Sequence, residues 1–95
     1  MARKLANTVL KNEEQRDEVL KRVKRAEGQI AGVIRMLEDG RSCEEVVHQM
    51  SAVGKAMNTA GITLIAASLE ECILDKKSNN PEQRERLQKL FLGLA

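Results

Sequence analysis

Between Val19 and Leu37 apolar side chains return every three or four residues. Leu20, Val23, Ile30, Ile34 and Leu37 carry the stripe, and Val19, Ala26 and Val33 widen it. That spacing predicts an amphipathic helix over about residues 12–39. The acidic run Glu13, Glu14, Asp17, Glu18 suits its first turn, where carboxylates meet the positive end of the helix dipole. Asp39-Gly40 suits its end, glycine being the usual residue just past a helix terminus. Ser42 followed by Glu45 has the form of a capping box and predicts a second helix opening at Cys43. Nothing breaks that helix decisively before about residue 75. After a polar loop, Lys76 to Asn79, Asn80-Pro81 reads as an N-cap with proline at the first helical position. Leu87, Leu90, Phe91 and Leu94 then give a short third helix, about 81–94, an apolar face.

The expected fold is all-α: a three-helix protomer with a long central helix, forming one domain over residues 12–95. Residues 1–11, MARKLANTVLK, show no clear period and are expected to be a flexible basic arm. Composition agrees with this. Phe91 is the sole aromatic residue, so the core must come from Leu, Ile, Val, Met and Ala. A 95-residue domain is marginal alone, which favours association between copies. With 16 basic and 14 acidic residues the net charge is only +2, so nucleic-acid binding must rest on where the bases sit. No apolar run approaches the ~18 residues of a membrane span, and the N-terminus lacks a signal-peptide core. The chain is expected in the cytoplasm with no membrane partner. Thiols stay reduced there, and a cysteine pair is more often functional than structural. No acid/base pair or nucleophile triad points to an enzyme.

On a helical wheel Cys43, Val47, Met50, Gly54, Met57, Gly61, Leu64, Ser68 and Cys72 fall on one stripe of the second helix. The cysteines are 29 residues apart, which at helical rise is about 40 Å. A disulfide needs Cα atoms within about 7 Å. On a continuous helix the thiols can meet only between copies. A seam paired antiparallel with itself, centred between Met57 and Asn58, sets Cys43 of one chain beside Cys72 of the other, twice per dimer. The competing arrangement is a break near Gly61 that brings both thiols together within one chain.

Lys21, Lys24, Arg25 and Arg35 lie opposite the apolar stripe of the first helix, with Arg22 on its flank. Alone they read as a solvated face. Duplicated by oligomerisation they make a positive surface able to neutralise several phosphates. Single-stranded binding is disfavoured because aromatic stacking partners are lacking.

The order RVKRAEGQIAGVIRMLEDGRSCEEVVHQMSAVGKAM…LEEC resembles the CsoR/RcnR family of small helical transcriptional repressors, over about residues 16–77. The likeness rests on basic residues before Gly28-Gln29, then Cys43, Gln49, Ala52-Val53 and Cys72 at the family's spacing. It implies an antiparallel four-helix-bundle dimer and a homotetramer that binds double-stranded operator DNA, with Lys21, Arg22, Lys24, Arg25 and Gln29 on the DNA side. An effector at the inter-subunit cysteines would release the DNA.

Copper-sensing members carry a histidine four residues before the second cysteine. Here that position is Ser68. Ser42 stands where their outer shell has a tyrosine, and Gln88 aligns with their third-helix glutamate. A Cu(I) site of Cys43 and Cys72 alone remains chemically open, because soft thiolates suit Cu(I). Cysteines without histidine, inside SLEEC, are similar to the CstR-like branch, which senses persulfide and polysulfide. The implied chemistry is thiolate attack on sulfane sulfur and an interprotomer sulfur bridge. Cys43, at a helix start that favours thiolate, is the expected attacker, and Cys72 the resolving thiol. An aldehyde-sensing branch pairs its cysteine with an N-terminal proline, whereas this chain begins Met1-Ala2.

Blander assignments stand beside these. The cysteines could be structural, or the chain a helical thiol adaptor without a DNA role. His48 projects to the polar face as an exposed side chain. Met50 and Met57 read as seam residues, and Gln49 as a structural hydrogen-bonding group. Ile62 replaces an arginine frequent in copper-sensing relatives, leaving Lys55 as the second helix's candidate contact to DNA.

Overall fold

A computed structural model describes residues 10–74 and 81–94. Three helices follow one another: α1 (Glu13–Glu38), α2 (Cys43–Leu74) and α3 (Pro81–Leu94), with no strand among the described residues. The all-α class and the three predicted spans agree with this to within a residue or so. The loop Lys76–Asn79 and the Asn80 cap lie outside the described residues.

Local chemistry accounts for the helix ends. The Asn12 side chain accepts the Gln15 N–H at 3.1 Å, capping α1 with Glu13 and Glu14 in the first turn. At the other end Gly40 adopts φ +69°, the left-handed conformation glycine enters without a Cβ penalty. Its N–H bonds the Leu37 carbonyl at 3.2 Å, and the Arg41 N–H bonds that of Met36 at 3.0 Å, closing a Schellman motif. At α2 only half of the expected capping box forms. Ser42 Oγ accepts the Glu45 N–H at 3.2 Å, but the Glu45 carboxylate turns away to Arg41, 2.7 Å from its Nε. A charged guanidinium one turn back outcompetes the neutral Ser42 N–H.

α2 runs unbroken for 32 residues, so the hairpin alternative at Gly61 is not what forms. It is the spine: α1 and α3 each pack on α2 and not on each other. Among the more enclosed α1 positions, Gln15, Val19, Arg22, Ala26, Gln29, Val33 and Met36 form a row at alternating three- and four-residue steps that meets α2. From α3 the corresponding row is Arg84, Leu87, Phe91 and Leu94. That contact is close at Gly61, where a Cβ would stand 2.7 Å from Leu94 Cδ1.

The protomer's own core is small: Leu10, Ala26, Val46, Ala60, Ile65, Ala67 and Cys72. Larger apolar residues stay open, including Leu20, Val23, Ile30, Ile34 and Leu37 on α1 and Val47, Met50 and Met57 on α2. Exposed apolar residues grouped on helix faces in this way suit a surface that another copy or a partner covers. By length and mean hydropathy (1.2) α2 is also long and apolar enough to cross a membrane, which the residue pattern had not led us to expect. Only 22% of that apolar stretch is buried by the chain itself.

Candidate functional site

Cys43 is the first residue of α2 and is exposed, whereas Cys72, 29 residues on, is 2% exposed. Neither thiol is in a disulfide. With the helix intact, about 40 Å of helical rise separates them, so one protomer brings no two-cysteine site together. Among the described residues no three side chains of His, Cys, Asp or Glu gather where a metal ion would bind.

The seam expected to join these thiols is uneven. From Cys43 through Met57 it is open: Val47 is 54%, Met50 55% and Met57 42% exposed. Gly54 faces empty space in the protomer. From Gly61 onward the stripe is covered, Leu64 and Ser68 partly and Cys72 almost wholly. α3 returns over α2 at Gly61 and the chain before α1 lies against its far end, which a helical wheel cannot register. Ser68, where copper sensors place histidine, is thus a half-buried hydroxyl.

That far end is held by hydrogen bonds. The Glu71 carboxylate accepts the Lys11 N–H on both oxygens at 3.0 Å and the Asn12 N–H at 2.9 Å. Glu70 Oε2 accepts from Gln15 Nε2 at 3.1 Å. Leu10 beside them is 1% exposed, so the end of the supposed arm at Leu10 and Lys11 is anchored to α2. Residues 1–9 lie outside the described residues. Leu10 belonged to no sequence pattern and Glu71 entered only as a letter of SLEEC, because a backbone-to-carboxylate contact between distant residues leaves no periodic trace.

Of the basic positions, Lys21, Lys24 and Arg25 are exposed on α1, as is Arg35. Arg22 is half-buried with Nε 3.3 Å from Glu18 Oε1. Gln29 does not share that face. It points toward α2 with its Oε1 enclosed and without a hydrogen-bond partner, while its backbone carbonyl accepts from Gln49 Nε2 at 3.3 Å. Seven residues separate Arg22 from Gln29, two helical turns, so both fall on the row that meets α2 rather than with Lys21, Lys24 and Arg25. The Gln49 bond is the structural one expected of it. His48 and Lys55 are exposed. Ile62 lines an open groove of about 460 Å³ between the start of α1 and the later part of α2, with Gln15, Glu18 and Glu70.

Comparison with known proteins adds the following. The copper-sensing transcriptional repressor RicR of Mycobacterium tuberculosis is 37% identical over 60 residues, covering 63% of this chain and 62% of that protein. The copper-sensing transcriptional repressor CsoR of Bacillus subtilis is 35% identical over 74 residues, 77% of this chain and 73% of its own length. CsoR of Mycobacterium ulcerans is 40% identical over 53 residues, 56% of this chain and 45% of that protein. The chain thus spans less than two thirds of either mycobacterial relative. No solved structure matches it. Residues 15–92, from the first turn of α1 to the last of α3, match the family model described as metal-sensitive transcriptional repressor, and the chain belongs to that family.

Proposed function

We propose that this protein is a cytoplasmic, homotetrameric repressor of double-stranded operator DNA, released when reactive sulfur bridges Cys43 of one copy to Cys72 of another. The observation that carries this is the unbroken α2 with one thiol at each end and an open apolar face running from Cys43 to Met57. A second copy laid antiparallel covers that face and supplies the missing thiol. Membership of a family of transcriptional repressors supports the DNA role. The exposed Lys21, Lys24 and Arg25, with Arg22 at their edge, are the phosphate-contacting residues, and Gln29 orients α1 through its contact with Gln49.

The sulfane sulfur of the polysulfide is the oxidant and ends as hydrosulfide. The Cys43 thiolate attacks a terminal sulfur of a polysulfide, which departs one sulfur shorter and leaves a persulfide on Cys43. The Cys72 thiolate of the second copy attacks the Cys43 sulfur, expels hydrosulfide and closes a disulfide. Two persulfides condensing with loss of hydrogen sulfide give a trisulfide instead. Cys43 is the first to react because it is the exposed thiol.

Cu(I) is the second reading, and the copper-sensing relatives favour it about as well. Cys43 and Cys72 would hold the ion as two thiolates, a soft donor set that suits Cu(I), with Ser68 offering no imidazole. One experiment separates the two. DNA complexes are treated with polysulfide, or with Cu(I) under a competing chelator, then examined by gel shift and non-reducing mass spectrometry. Release with a Cys43–Cys72 interchain bridge is the expected outcome. Release by Cu(I) without a bridge transfers the assignment to copper, and retention of DNA under both removes this cysteine pair as the effector site.

A further inference from the structure

The two large side chains most completely buried in the protomer are Leu10 and Cys72. They lie far apart in sequence, yet each is next to a residue of one hydrogen-bond cluster. Lys11 and Asn12 donate their N–H groups to the Glu71 carboxylate, and Gln15 reaches Glu70 one turn later. Asn12 is at the same time the cap that begins α1. The start of α1 and the end of α2 are therefore tied through two adjacent carboxylates, Glu71 to the backbone before the helix and Glu70 to its first turn.

We propose that Leu10–Asn12 forms a clasp, locked by Glu71, that closes over Cys72 and makes it the second thiol to react. Leu10–Asn12 precedes the helical ladder of α1 and meets α2 at the Glu71 carboxylate, so it opens locally at lower cost than the helices unfold. Reaction at Cys72 requires that opening, so whatever modifies Cys72 favours the state in which the start of α1 is untied from α2. Lys21, Lys24 and Arg25 ride on that helix. Glu71 is in this sense a positioning residue: it touches neither effector nor DNA, and acts through Leu10 and the α1 cap.

Iodoacetamide applied to the full-length protein reads the clasp directly. Each thiolate displaces iodide and forms a thioether, and peptide mass spectrometry follows the two cysteines separately. Cys43 alkylates quickly and Cys72 slowly in the parent chain. Glu71→Gln and Leu10→Ala each raise the Cys72 rate by about tenfold or more, the loss expected for a charge-assisted bond or a buried leucine holding a local closure. The Cys43 rate and the helical circular dichroism stay unchanged. Parent-like Cys72 rates in Glu71→Gln, the milder variant, overturn the proposal. A rise at both cysteines together overturns it as well, because general loosening then explains the result. Leu87→Ala, on the same α3 row but nearer the end of α2 than Leu94, is the control: if it alone exposes Cys72, the cover belongs to α3 and the clasp is wrong. Neither DNA nor effector enters this measurement, so its failure leaves the repressor assignment standing, and failure of that assignment leaves the clasp standing.

Discussion

At the scale of single residues, burial separates side chains that composition treats alike. Ala26 has no exposed surface and sits where α1 crosses α2, so the helices approach on a methyl group. Replacing it with leucine inserts three heavy atoms into a contact without room for them. Overpacking of this kind costs about 1–3 kcal/mol. Ala26→Leu should lower the unfolding free energy by that amount at fixed protomer concentration, read as a lower urea midpoint with the slope unchanged. The concentration must be held fixed because association adds to apparent stability. An unshifted midpoint would mean that the α1–α2 crossing is looser than its burial indicates. Arg41 and Glu45 form the shortest ion pair among the described residues at 2.7 Å, but both are about half exposed. Such a pair is worth at most about 1 kcal/mol, so the turn before α2 depends more on the Schellman motif at Gly40 and the Ser42 cap.

At the scale of elements, the open half of the α2 seam makes a prediction whose sign is informative. Gly54 is exposed, and an added Cβ there meets nothing within 4 Å. In an isolated protomer Gly54→Leu should therefore strengthen the helix, by about 1 kcal/mol on propensity. In a dimer closed through Val47, Met50 and Met57 the same side chain would force the two spines apart. Sedimentation should show the variant shifted to the protomer with full helical content, and parent-like assembly would remove this face as the subunit contact. The three helices were legible because period, caps and breakers agreed at nearly every boundary. What covers each face was not. The α1 stripe splits into Val19, Ala26 and Val33, which meet α2, and Leu20, Val23, Ile30, Ile34 and Leu37, which stay open. Periodicity finds an apolar arc but does not divide it between the chain's own neighbour and another copy. The same limit hid the inward turn of Gln29 and the burial of Cys72. The tie from Glu71 to Lys11 and Asn12 was invisible because backbone donors carry no residue identity.

For the whole molecule, a net charge of +2 cannot by itself draw the chain to DNA, so affinity must depend on how the protomers arrange their cations. Lys21, Lys24 and Arg25 share the side of α1 turned away from α2, which keeps them clear of the seam that a second copy would cover. An assembly closed through that seam would multiply the positive face without burying it, and the acidic residues near the start of α1 lie toward one end of the helix. Each phosphate neutralised contributes about 0.9 to the slope of log K against log salt. If two protomers present both residues to the duplex, Lys24→Ala with Arg25→Ala removes four contacts and flattens that slope by about 3.6. Lys55→Ala, on α2, should leave the slope as it was. A double variant that keeps the parent slope, with a Lys55 variant that loses it, would move the DNA surface from α1 to α2. In that case the tie between Glu71 and the start of α1 could no longer carry a change at Cys72 to the operator.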